Sequence, residues 1–378
     1  MSAAKKSSPA VETRAPQETA ELIGQGQAEA ALIAAQKSGR MPHAWLFHGP
    51  RGVGKATLAY RFARFLFAGG HTGQGEGGGL FGDAEPVETL ALDPEDPVFR
   101  RVAASGQMDL SVLSRGVTPQ GKPKRDIAVE DVRAAIDTLR LTSAEGGWRI
   151  LILDSADDLN PSSANALLKI LEEPPQGAIL LLVSHRPGAL LPTIRSRCRN
   201  LPLRPLAPGE VESLLAEHRP ELAMEDIATL ARLSEGSIGR ALELCDGGGL
   251  ELYREVVSLL ESLPRLDVGR LHGLGDRLAR DTSGAAFRTF GELLTAWLAR
   301  MIRANSLAES GGGILPGEEA LMRGLMERRG LAPWLALWEK LVRTFAQTEA
   351  VSLDRKQVLI AAFLEMQSLA GTAAGKRA

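Results

Sequence analysis

The sequence predicts an α/β domain with a mainly parallel sheet, followed by helical regions, and three observations carry that expectation. Short buried strands alternate with amphipathic helices through the first two hundred residues. A glycine-rich turn joins one of those strands to a helix. Beyond Pro205 the strand signal stops while helical periodicity continues. A chain of 378 residues has room for about two or three domains.

Residues 1–20 are rich in Ala, Ser, Lys, Pro and Glu without apolar periodicity and read as a disordered leader. Between 21 and 39, Leu22, Ile23, Ala28, Ala31, Leu32 and Ala35 recur at helical spacing until Ser38-Gly39. A buried strand at 44–47 runs into a glycine-rich turn, then into a helix over 55–67 with Leu58, Phe62, Phe65 and Leu66 on one face. The interval 69–125 reads as a loop-rich insertion, and eight glycines among 69–82 mark its start as a flexible linker. Val129, Val132, Ala135, Ile136 and Leu139 mark the next helix. A strand at 149–153 follows and closes at Asp154. Ala164, Leu167, Leu168 and Leu171 then form a helical stripe that Pro174-Pro175 ends, and a third strand spans 178–183. With the α/β domain placed at 21–205, residues 206–247 read as a small helical lid and 250–378 as an all-α domain. In the latter, Phe287, Phe290, Leu293, Leu294, Trp297, Leu298 and Met301 form one stripe, and Trp334, Trp338, Leu341 and Phe345 another. Aromatics at this spacing read as core.

Composition narrows the function classes. Forty-four basic against 46 acidic residues leave a net charge of −2, which gives no whole-molecule attraction to nucleic acid. No apolar run approaches the ~18 residues of a membrane span, and the N-terminal stretch lacks the apolar segment of a signal peptide, so a cytoplasmic protein is expected. Cys198 and Cys245 are too few for a disulfide framework or a four-thiolate zinc site. Arg100, Arg101, Lys122, Lys124 and Arg125 carry no interleaved aromatics and read as a solvated loop face.

Gly49-Pro50-Arg51-Gly52-Val53-Gly54-Lys55 has the P-loop spacing in the required strand-to-helix context. Gly49, Gly52 and Gly54 let backbone N–H groups wrap phosphates, the helix N-terminus adds its dipole, and Lys55 adds a point charge. The next position, where a hydroxyl would ligate Mg²⁺, is Ala56, and Thr57 lies about 100° further round the helix. Nucleotide binding and a retained but idle loop both fit. Asp154 ends the second strand where a carboxylate orients a metal-bound water, but Ser155 cannot serve as the general base beside it. Asp157 and Asp158 read as turn and capping residues. Ser184 ends the third strand, where a polar group either senses a γ-phosphate or makes a turn. His43 and His185 have no metal-spaced partners.

The runs Leu153-Asp154-Ser155-Ala156-Asp157-Asp158-Leu159-Asn160 and Asn165-Ala166-Leu167-Leu168-Lys169-Ile170-Leu171-Glu172-Glu173-Pro174-Pro175 resemble the AAA+ subunits of the bacterial DNA polymerase III sliding-clamp loader. Ile194-Arg195-Ser196-Arg197-Cys198 is similar to the family's Ser-Arg-Cys motif, and Gly236-Ser237-Ile238-Gly239-Arg240-Ala241-Leu242 to its sensor 2 segment. The resemblance implies an AAA+ domain, a helical lid and an oligomerising collar. Ala56 and Ser155 depart from the motor subunits, so it implies a non-motor member whose own ATPase is weak or absent, without a polymerase site. ATP with Mg²⁺ is implied as a possible ligand, and no zinc, since 55–154 contains no cysteine. The implied partners are a motor subunit and the delta subunit in a hetero-oligomeric ring, with the sliding clamp and primed DNA met through the complex, and no membrane. Arg197 is the implied arginine finger for a neighbour's ATP, with a surface salt bridge as its alternative. Arg240 either contacts phosphate or braces the lid. A motor subunit, a P-loop phosphotransferase and a scaffold with an empty loop are the competing functions.

Overall fold

A computed structural model describes residues 15–69, 89–118, 124–307, 313–350 and 353–371. The chain folds as two compact units: Met1–Pro220 with Glu235–Gly239, and Glu221–Ser234 with Arg240–Ala378. The interval 206–247 thereby contributes to both.

The first unit contains α1 (Gly26–Lys37), β1 (Ala44–His48), α2 (Lys55–Phe67), α3 (Pro97–Ala103), β2 (Leu110–Leu113), α4 (Val129–Arg140), β3 (Arg149–Leu153), α5 (Pro161–Glu172), β4 (Ala178–Ser184), α6 (Pro192–Arg197), β5 (Arg199–Pro202) and α7 (Pro208–His218). The strands form one parallel sheet in the order β2-β3-β4-β1-β5. Side chains of a strand alternate between faces, so both faces of this sheet acquire a core. Trp45, Phe47, Ile150, Ile152, Ile179, Leu181 and Val183 pack against α1 and α2, while Leu46, Leu151, Leu153, Leu180 and Leu182 pack against α4 and α5.

The three expected strands are present. The sequence reading missed β2 and β5, and the insertion it read as loop also contains α3. Val112 of β2 is exposed, and three of the four residues of β5 are exposed, so neither edge strand shows a buried run. Asp96 caps α3, its carboxylate accepting from the Val98 N–H at 2.7 Å, with Pro97 at the first helical position. The glycine-rich stretch 70–82 and residues 1–14 of the expected leader lie outside the described residues.

Residues 15–20 are held in place, in contrast to the expected disorder. Arg64, buried in α2, donates to the Gln17 and Thr19 carbonyls at 2.9 and 2.7 Å and lies over the Phe99 ring at 4.1 Å. Arg61 donates to the Ala20 carbonyl and pairs with Glu29. Helix α1 is shorter than expected, because Gly24 takes a φ of +76° and Gln25 turns inward.

The second unit is all helix among its described residues: α8 (Met224–Leu233), α9 (Ile238–Asp246, which begins in the first unit), α10 (Gly249–Glu261), α11 (Val268–Arg280), α12 (Ala285–Leu307), α13 (Glu318–Arg329), α14 (Leu331–Ala350) and α15 (Arg355–Gly371). The first apolar stripe is buried throughout, while the second buries Trp334 and Leu341 and leaves Trp338 and Phe345 half-buried. Phe290 meets Phe345 and Phe363, each at 6.3 Å between centroids, and the indole N–H groups of Trp334 and Trp338 donate to the Leu325 and Thr295 carbonyls. A polar cluster lies within this apolar interior. Glu318, fully buried, accepts from the Tyr253 hydroxyl at 2.7 Å and from the Ile314 and Leu315 N–H groups, while Arg300 donates to the Tyr253 oxygen at 2.6 Å. Among the described residues no helix is long and apolar enough to cross a membrane.

Candidate nucleotide site and arginine edge

The P-loop leaves the carboxyl end of β1 and enters α2 through Gly54, whose φ of +93° suits only glycine; a Cβ there would meet Leu22 at 2.5 Å. Every carbonyl from Gly49 to Val53 has a donor. Lys55 Nζ donates to the carbonyls of Gly49, at 2.9 Å, and Pro50. The Ser237 hydroxyl donates to Arg51 O at 2.7 Å, and the Gly239 N–H to Gly52 O at 3.0 Å. Gln25 Nε2 donates to Val53 O at 3.3 Å and to Arg204 O at 2.8 Å, which joins the loop to the chain leaving β5. The Lys55 side chain is buried among these groups. Burial pulls its ammonium down to about 8, against the attraction of Asp157 and Asp154 and with help from Arg51.

Asp154 stands at the end of β3, half-buried. Burial raises its carboxyl above the ordinary range, Lys55 opposes that shift and Asp158 adds to it. Ser155 follows with a φ of +70° and no carboxylate. Asp157 does the work of an anchor: it accepts from the Ser184 hydroxyl at 2.8 Å, the His185 N–H at 2.5 Å and the Arg186 N–H at 3.2 Å. The Ser184 hydroxyl, read from sequence as either a phosphate sensor or a turn group, is thus engaged in tying β4 to the loop after β3. Burial lowers the His185 imidazole, with Lys55 adding to the shift, and its Nδ1 is buried without a partner among the described residues.

Arg197 is the last residue of α6, immediately before the edge strand β5. Ile194 and Cys198 are buried on either side and fix its backbone, and burial pushes the Cys198 thiol up to about 12. Its guanidinium pairs with Glu172 at 2.8 Å and donates to Thr193 O at 3.1 Å. The salt bridge that the sequence left as an alternative is therefore present, with the Arg197 side chain 35% exposed. Arg240 donates to Glu292 of α12 at 2.9 Å, a contact within the second unit and not with the sheet. Arg100 pairs with Glu95 and Arg101 with Glu145, while Lys122 lies outside the described residues.

A nucleotide-loop sheet with an arginine poised at its edge narrows the families, and comparison with known proteins decides among them. The family profile described as "DNA polymerase III, delta subunit" matches residues 24–207. DNA polymerase III subunit delta' of Pseudomonas aeruginosa is 28% identical over 87% of this chain and 93% of its own length. The chain is similar to DNA polymerase III clamp-loader subunits, with delta-prime relatives. Subunit delta' of Bacillus subtilis is 32% identical over 59% of this chain and 60% of its own length. Subunit gamma/tau of Mycobacterium bovis is 30% identical over 72% of this chain, which spans only 44% of that relative. All three relatives are named as subunits of DNA polymerase III.

The loop fits a phosphate chain by its shape and its lysine. Its surroundings do not fit Mg²⁺-assisted hydrolysis: Ala56 offers no hydroxyl, Ser155 no carboxylate, and the Ser184 hydroxyl serves Asp157. Among the described residues no group of three or more His, Cys, Asp or Glu is placed to hold a metal ion. The sequence reading missed Gln25, took Asp157 for a turn or capping residue, and named Ser237 only within the sensor 2 resemblance. A polar residue just ahead of the first helix was the available signal for Gln25; for Asp157 and Ser237 the partners lie 27 and 186 residues away.

Proposed function

We propose that this chain is the non-hydrolysing, delta-prime-type member of a cytoplasmic clamp-loader ring and that it presents Arg197 to ATP held with Mg²⁺ by a neighbouring motor subunit. The ring also contains the delta subunit and loads the sliding clamp onto primed DNA; residues 206–247 serve as its lid segment and 250–378 as its oligomerising collar. One observation carries this reading: a guanidinium held at the sheet edge in a chain whose own loop lacks a metal hydroxyl and a base. An arginine supplied in trans stabilises charge on the transferring phosphoryl oxygens and is worth about 10³- to 10⁵-fold in known cases. The test is clamp- and primer-stimulated ATP hydrolysis by the reconstituted loader, wild type against Arg197→Ala, after equal assembly is verified. A fall of about tenfold or more, roughly 1.4 kcal/mol of transition-state stabilisation, is expected. An unchanged rate removes Arg197 from the chemistry and leaves the chain a scaffold.

A further inference from the structure

We propose that Glu172 is the positioning residue for Arg197, an inference that rests on the proposed role of Arg197 and extends it. Glu172 is the last residue of α5, and Glu173 follows it as the cap. Carboxylates at that end face the negative pole of the helix dipole, where a cation is favoured, and Lys169 is the one basic residue of the last turn. Locally, then, Glu172 is misplaced. The compensation is Arg197, whose Nη2 lies 2.8 Å from Glu172 Oε1. With the two side chains 35% and 52% exposed, such a pair adds little to stability, so its value lies in geometry.

That geometry is specific. Nη1 is held by the Thr193 carbonyl of its own helix, and Nη2 by a carboxylate from a different helix. Two anchors on one planar group fix both the position and the tilt of the fork. A guanidinium has five N–H donors, so the remaining ones stay available to an anion. A flexible arginine would lose its rotamer freedom when a neighbour's phosphate arrives; an arginine already held has lost it beforehand. Pro174-Pro175 end α5 immediately after the carboxylates, and buried Ile194 and Cys198 flank the arginine, so both ends of the bridge are built on fixed backbone.

The experiment is a mutant cycle in the reconstituted loader, with kcat and KM for ATP measured under clamp and primer stimulation. Glu172→Ala is expected to lower kcat three- to tenfold at unchanged KM. Glu172→Gln, which keeps an acceptor oxygen, is expected to recover most of the loss. In the Arg197→Ala background Glu172→Ala is expected to change nothing further, because residues acting as a unit are not additive. A large loss in Arg197→Ala with a wild-type rate in Glu172→Ala overturns the positioning role alone. So does an equal loss from Glu172→Ala with and without Arg197, which is the signature of a structural defect. No loss in Arg197→Ala overturns the arginine-finger reading and the positioning role together.

Discussion

Gly239 and Gly52 meet backbone to backbone. The N–H of Gly239 donates to the Gly52 carbonyl at 3.0 Å, and a Cβ on Gly239 would stand 2.8 Å from the Cα of Gly52. No flexible side chain is available there to yield. Gly239→Ala must therefore lift the Gly236–Gly239 turn from the P-loop or distort both, at a cost of about 1–3 kcal/mol. Chemical denaturation followed by a probe in the first unit is expected to show a lower midpoint at unchanged slope. A wild-type midpoint would place the turn away from the loop.

Lys55 makes stability depend on alkaline pH in a defined direction. Its ammonium is pulled down to about 8 in the folded protein, while the unfolded chain keeps the proton to 10.5. Between those values the unfolded state binds more protons, so this residue's contribution to stability rises with pH across the window and its cost is fully present below about 8. Wild type is expected to gain stability from pH 8 to 10 relative to Lys55→Met, which lacks the titrating group. Equal pH slopes in the two proteins would mean an ordinary, solvated lysine.

Tyr253 and Glu318 join α10 to the segment that opens α13. The hydroxyl lies 2.7 and 2.8 Å from the two carboxylate oxygens, and burial drives the phenol well above its ordinary range. Tyr253→Phe removes a donor from a fully buried carboxylate that still accepts from Ile314 and Leu315. A loss of about 1–3 kcal/mol is expected, with faster amide exchange at Ile314 and Leu315. Unchanged exchange at those two amides would show that the carboxylate holds the loop without the Tyr253 hydroxyl.

The parts of the fold legible in sequence are those with strong local signals. Strands β1, β3 and β4 are buried on both faces and read as continuous apolar runs, and the P-loop spacing is a local constraint on one turn. Strands β2 and β5 have neighbours on one side only, and their exposed residues dilute the pattern. The site divides the same way. Lys55 and Asp154 stand where the motifs place them, but spacing alone says nothing of the carboxylate that takes the Ser184 hydroxyl or of the turn that covers Gly52. Those depend on which loops the sheet brings together, a property of strand order.

The edge on which Arg197 stands has a further consequence. Strand β5 has four residues, pairs with β1 alone, exposes Arg199 and Asn200, and ends at Pro202, which has no N–H to give. A short, charged strand closed by proline is a poor template for another strand. The neighbour proposed to receive Arg197 would find side chains to grip here and almost no backbone ladder to extend, so that contact would open and close without unzipping a sheet.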